Sequence, residues 1–186
     1  MRTARGPAPT SRPPLNDAAL LLRVAAGEVP AMAALYDRHA PALLRFARRV
    51  DRQDAEDLLQ MTFERAAKLA VRYDGRNLSA RPWLFAIMTR IAQERTRSLR
   101  RFARALGRLR ELPHRYVMST VDTRFDLDRA LLRLSTSKRV VLLLADVEGF
   151  RCEEIANLLN VPIGTVWTRL HHARKEVRAL QSEGEP

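Results

Sequence analysis

Apolar residues recur at helical spacing along most of the chain. Ala18, Leu21, Leu22 and Ala25 share one helical face, and Gly27 follows them as a helix stop. From Ala31 to Val50 the pattern returns with Ala34, Leu35, Leu43, Leu44 and Phe46, and Pro41 inside it is placed to bend or restart the helix. After the polar turn Asp51-Arg52-Gln53, Asp54 is placed to cap a third helix, with Asp57 answering it three residues on. Leu58, Leu59, Thr62, Ala66, Leu69 and Ala70 form the inward stripe of that helix. Glu56, Gln60, Glu64 and Lys68, each four from the last, give it a polar ridge on the other side. Tyr73 to Ser79 is rich in turn formers. Ser79 can cap a fourth helix whose first turn tolerates Pro82, and Trp83, Leu84, Ile87, Met88 and Ile91 supply its apolar face.

Periodicity weakens from Gly107 to about Thr123, where a proline and polar breaks read as a linker. Helical patterns resume over Leu127–Leu134, Ser137–Val147, Glu153–Leu159 and Gly164–Leu180. Strand signals are weak: there are only 7 glycines, and the one Asp-Gly pair, Asp74-Gly75, follows a helical pattern. The expected fold class is all-α. A disordered arm over residues 1–16 precedes a helical domain over 17–104, a flexible linker over 105–125 and a helical domain over 126–183 that contains a helix-turn-helix. Each domain is small but within the range that folds alone.

Charge sharpens this picture. Lys plus Arg number 33 against 21 Asp plus Glu, a net +12, and the only lysines are Lys68, Lys138 and Lys175. Between Arg81 and Arg115 ten arginines face Glu94 and Glu111 alone, so this window carries +8 of the total. A solvated helix face ordinarily mixes signs; a one-signed run calls for a counter-charge such as phosphate. Arginine forks onto phosphate as lysine cannot.

Other classes fall away. Cys152 is the only cysteine, which excludes an intrachain disulfide and a thiolate metal cluster. The apolar run Val140–Ala145 is too short to cross a bilayer, and the charged, proline-rich N-terminus is no signal peptide. A cytoplasmic protein with no membrane insertion of its own is expected. The four histidines (39, 114, 171, 172) lack metal spacing, and no glycine-rich phosphate loop is present. Asp54, Glu56 and Asp57 are explained by the preference of a helix start for negative charge. No catalytic residue, metal or cofactor is expected.

The sharpest local signal is C-terminal. Cys152 to Leu159 reads as a short helix, Asn160-Val161-Pro162 as a tight turn and Gly164 to Lys175 as a second helix. Ile155, Leu159, Val161, Val166 and Leu170 fall where two steeply crossing helices need a shared core, and small Ala156 permits close approach. A helical hairpin in a bundle gives a similar pattern, but the basic content of the second helix favours a DNA-reading helix-turn-helix. Thr165, Trp167, Thr168, Arg169, His171, His172 and Arg174 are its candidate contacts to bases and phosphates. Trp83 and Phe85 suit a core, whereas Tyr73 beside the loop can stack on an unpaired base.

Together these segments resemble the extracytoplasmic-function sigma factors of bacterial RNA polymerase. Leu35 to Arg45 looks like the family's first helix, and Asp54 to Phe63 like the helix that docks on the clamp coiled coil of the largest polymerase subunit. Trp83-Leu84 through Arg101 looks like the helix that opens and reads the −10 element. Glu153-Glu154-Ile155-Ala156 with Gly164-Thr165-Val166 and Arg169-Leu170-His171 looks like the module that reads the −35 element. The resemblance implies polymerase contacts at Asp54, Glu56, Asp57, Gln60, Met61 and Glu64. It implies −10 contacts at Tyr73, Arg76, Asn77, Ser79, Arg81, Arg90, Arg95, Arg97, Arg100 and Arg101, with residues 73–79 holding a flipped base. It also implies core RNA polymerase, promoter DNA and an anti-sigma factor as partners.

Departures from the family pattern are specific. Met61 stands where a glutamate is usual, Thr89-Arg90 where an Arg-Asn pair is usual, and Trp167 and His172 where basic residues are common. A stand-alone helix-turn-helix regulator, or a helical adaptor or RNA-binding protein using the arginine run alone, would share part of these features. The polar ridge and the turn-rich loop distinguish the sigma-factor reading from both.

Overall fold

The computed structural model describes residues 15–73, 79–105, 128 and 130–182, leaving out the side chains of residues 100, 103–105, 181 and 182. The arm over 1–14, Arg76 and Asn77, and the linker over 106–125 lie outside the described residues. Every regular element among those described is helical. The N-terminal module holds α1 (Asp17–Ala25), α2 (Val29–Val50), α3 (Ala55–Leu69), a single 3₁₀ turn (Ala70–Arg72) and α4 (Arg81–Ala105). The C-terminal module holds a helical stretch over 130–133, α5 (Thr136–Leu142), a wide π turn (Leu143–Val147), α6 (Cys152–Leu159) and α7 (Ile163–Ser182).

Start and stop signals act locally. Asn16 caps α1 by accepting from the Ala19 N–H at 2.8 Å, and Gly27, at φ +85°, reverses the chain into α2. The expected break at Pro41 does not occur: α2 runs through it unbroken. Pro41 is exposed, while Leu35, His39, Ala40, Leu43, Phe46 and Ala47 are buried on both sides of it. Packing of that stripe outweighs one missing backbone hydrogen bond.

Asp54 also departs from expectation. Its side chain makes no cap bond to α3, because the carboxylate is turned onto Arg95 of α4. The predicted inward stripe of α3 holds: Leu58, Leu59, Thr62, Ala66 and Ala70 are buried, joined by Phe63. Phe46 meets Phe85 edge-on at 5.1 Å between ring centres, which ties α2 to α4.

In the C-terminal module Ile155, Val166 and Leu170 are buried between α6 and α7, with Leu159 and Val161 packed at the edge. Asn160, in the left-handed region at φ 53°, closes α6: its N–H donates to the Asn157 carbonyl at 3.3 Å, and Val161 N–H to Ala156 at 3.0 Å. This is the tight turn of the helix-turn-helix. No helix among the described residues is long and apolar enough to cross a membrane.

Candidate nucleic-acid interface

The predicted ridge on α3 is exposed along its length. Glu56, Asp57, Gln60, Met61 and Glu64 face solvent; Gln60 Nε2 donates to Glu64 at 2.9 Å, and Arg48 of α2 reaches Glu56 at 3.3 Å. Beside it Tyr36 of α2 is 44 % exposed, its ring 4.8 Å from that of Phe63. Tyr36 and Met61 therefore add apolar surface to an acidic ridge. Nothing in the sequence pattern singled out Tyr36, because its exposure follows from how α2 lies on α3.

Helix α4 presents its arginines on different sides. Arg90, Arg97 and Arg101 are exposed at intervals of seven and four, which places them on one face. The backbone of Arg100 continues that helix, and its side chain lies outside the description. Arg95 instead points at Asp54, so one residue from each expected contact set ties the other down. Arg81 is likewise engaged: it donates to Glu148 Oε2 at 2.7 Å and to the Glu148 carbonyl at 3.0 Å. Tyr73 is half-buried and packs edge-on against Trp83 at 5.3 Å. Thr89 is fully buried, its hydroxyl donating to the Ala86 carbonyl at 3.0 Å, so this departure from the family pattern belongs to the core.

The start of α4 is held from a distance. The expected cap at Ser79 is displaced by one residue: α4 opens at Arg81, the Ala80 carbonyl takes the first helical bond from Leu84 N–H at 2.9 Å, and Ser79 Oγ accepts only from Arg81 N–H at 3.2 Å. The N–H of fully buried Ala80 donates to Asp17 Oδ2 at 2.7 Å, across 63 residues. The same carboxylate meets His39 Nε2 at 2.8 Å and receives the Arg38 guanidinium, which also donates to the Leu15 carbonyl. Burial alone would push this carboxyl up; the hydrogen bonds from Ala80 and Arg38 and the neighbouring His39 outweigh it and hold Asp17 below the ordinary carboxylate value. Sequence spacing gives no signal of this network.

On α7, Trp167 is 57 % exposed, His171 and His172 are exposed with ring centres 5.6 Å apart, and Thr165 and Arg169 are half-exposed. Thr168 turns its hydroxyl back onto the Gly164 carbonyl at 2.8 Å. Arg174 forks onto Asp146 at 3.1 and 2.6 Å, a structural pairing the sequence did not announce. Lys175 and Arg178 line a groove with Cys152, Trp167 and His171. Both were missed in the sequence, although the spacing 171, 175, 178 is itself helical. Among the described residues no group of His, Cys, Asp and Glu is arranged to hold a metal ion.

Residues 35–102 match the family model for sigma-70 region 2, and residues 124–177 match that for sigma-70 region 4. Over 166 residues the chain is 32 % identical to the ECF RNA polymerase sigma factor SigL of Mycobacterium tuberculosis, covering 86 % of this chain and 93 % of that one. The chain belongs to the ECF RNA polymerase sigma factors. SigM of the same organism is 32 % identical over 170 residues, covering 89 % and 84 %. Among solved structures, CnrH in complex with the cytosolic domain of CnrY is similar at a TM-score of 0.64 and 28 % identity, covering 91 % of this chain and 99 % of that one. The sigma factor RpoE of Bartonella quintana, in complex with the anti-sigma factor NepR, is similar at 0.65 and 26 %, covering 81 % and 96 %. In this sigma factor the α3 ridge and the α4 arginine face lie within the region 2 match, and α6 and α7 within the region 4 match.

Proposed function

We propose that this sigma factor binds core RNA polymerase through the α3 ridge, opens and reads the −10 element with α4 and residues 73–79, and reads the −35 element with α7. The observation that carries the first step is the ridge itself. Glu56, Gln60, Met61 and Glu64 stand exposed on a helix whose opposite side is fully used by the core, so the folded module leaves them for a partner. Arg90, Arg97 and Arg101 meet the DNA backbone, Arg100 continuing the run, while Tyr73, Arg76, Asn77 and Ser79 hold unpaired bases. Asp54 and Arg95 keep α3 and α4 in register for both tasks.

On α7, Trp167, His171 and His172 address base edges, with Thr165, Arg169, Lys175 and Arg178 positioning the helix on phosphates. Histidine cannot fork onto guanine as arginine does, so the −35 preference at His172 differs from that of an arginine-bearing relative. The protein acts in the cytoplasm, where polymerase and promoter are, and contributes no catalytic step of its own. CnrH and RpoE are each seen with a protein partner, which supports an anti-sigma partner here as well.

Fluorescence anisotropy of the labelled chain titrated with core polymerase tests this reading. Saturable binding, competed by a second sigma factor, is expected. Gln60→Ala should weaken it several-fold with the circular dichroism unchanged, whereas Leu58→Asp should abolish it by unfolding α3, because Leu58 is 1 % exposed. A folded chain with no affinity for polymerase would leave a helix-turn-helix protein acting alone.

A further inference from the structure

The exposed side of α7 changes character along its length. Trp167, His171, Arg174 and Arg178 follow one another at intervals of four, three and four, and they line one groove, so they form a single stripe. The first turns of that stripe carry rings, and its cations come later. Arg174, the first of them, lies about 10 Å further along the axis than Trp167 and is forked onto Asp146. Arg169 is nearer in sequence, but it sits about 200° round the helix and is only half-exposed. Thr168, next to Trp167, has its hydroxyl proton committed to the Gly164 carbonyl at 2.8 Å. Trp167 itself is 57 % exposed, and among the described residues no ring, cation or hydrogen-bond acceptor engages its indole.

A recognition helix sets its N-terminal residues against base edges, and Trp167 is the fifth residue of α7. Indole chemistry restricts what it can meet there. With one N–H donor and no acceptor, it can make neither the double-donor contact to guanine nor the donor-acceptor pair to adenine. Laying the ring on the polar edge of guanine, adenine or cytosine would strip water from that edge and replace none of its hydrogen bonds. The C5-methyl of thymine is the one apolar group that a major-groove edge offers.

We propose that Trp167 sets the specificity of the −35 contact by packing its ring on the C5-methyl of a thymine. This rests on the reading of α7 as the −35 helix, and adds to it the base that is selected and the group that is read. Because the methyl is the feature recognised, 5-methylcytosine at the same position satisfies Trp167 and deoxyuridine does not.

Core polymerase loaded with the full chain, selecting from duplexes randomised across the promoter region, gives the upstream block that the holoenzyme prefers. Each thymine of that block is then replaced in turn by deoxyuridine, and affinity is measured by competition. At one position the loss of the methyl should weaken binding about fourfold, the factor that accompanies one buried methyl group. At that position 5-methylcytosine should bind more tightly than cytosine by a similar factor. Trp167→Ala should bind the thymine and deoxyuridine duplexes alike, with its circular dichroism unchanged because the side chain is exposed. A selected block in which no thymine on either strand responds to deoxyuridine, or a response that survives in Trp167→Ala, overturns the inference and leaves the −35 reading standing. If the holoenzyme selects no upstream block, the −35 reading itself fails and the inference falls with it.

Discussion

Asp17 shows how much a single side chain can decide. It is the first residue of α1, yet its carboxylate terminates a buried network reaching α2 and the start of α4. Replacing it with alanine leaves the Ala80 N–H buried without an acceptor and removes the shared partner of Arg38 and His39. A loss of about 2–3 kcal/mol is expected on urea denaturation. The pH dependence has a definite sign. A carboxyl held below its unfolded value of 3.8 contributes stability that is present above that pH and lost as pH falls through the lower folded value. Asp17→Asn should therefore flatten the acid limb of the stability profile below about pH 4, measured by thermal melts across pH. An acid limb identical to wild type would assign that dependence to other carboxylates. Neither the network nor the Asp54–Arg95 pair follows from helical spacing, since each joins residues far apart in the chain.

At the scale of elements, turn and helix chemistry read well from the sequence, and side-chain partners read poorly. Asn160 ends α6 in the left-handed region, where a side chain with Cβ is strained and asparagine is among the few that adapt. Asn160→Ala should cost about 1 kcal/mol in the melting of the C-terminal module, and Asn160→Gly should be near neutral. A neutral Asn160→Ala would show that the turn relaxes. On α7 the division of labour is testable against a panel of −35 variants. Arg169→Ala should weaken all sequences alike, whereas His172→Ala should alter preference at one position. Equal losses across the panel for both substitutions would remove the distinction between positioning and reading. The helix-turn-helix core, Ile155, Val166 and Leu170, was legible because apolar period and turn residues agree there. Arg174 was not, because its engagement with Asp146 depends on how α7 lies on the π turn.

For the whole molecule, the excess of arginine sets a measurable quantity. Binding of promoter DNA by the holoenzyme should weaken steeply with salt, and Arg90→Ala should reduce the slope of log K against log salt by about 0.9, the value of one phosphate contact. An unchanged slope would take Arg90 off the DNA. The same charge inventory has to be divided by the fold: Arg81 and Arg95 are held by Glu148 and Asp54, while Arg90, Arg97 and Arg101 stand exposed. Composition counts these arginines alike, and only packing separates them.

The sequence by itself determined the helical class, the core stripe of α3, the helix stop at Gly27, and the helix-turn-helix with its exposed second helix. Each depends on residues within a few positions of one another, where backbone geometry converts spacing directly into a shared face. It also carried the family, because the motifs are contiguous and ordered. Tertiary structure alone decided that α2 passes through Pro41, that Thr89 is core, that Asp17 holds the start of α4, and that Arg81 is closed onto Glu148. Those outcomes rest on contacts between segments tens of residues apart, whose energies local periodicity does not encode.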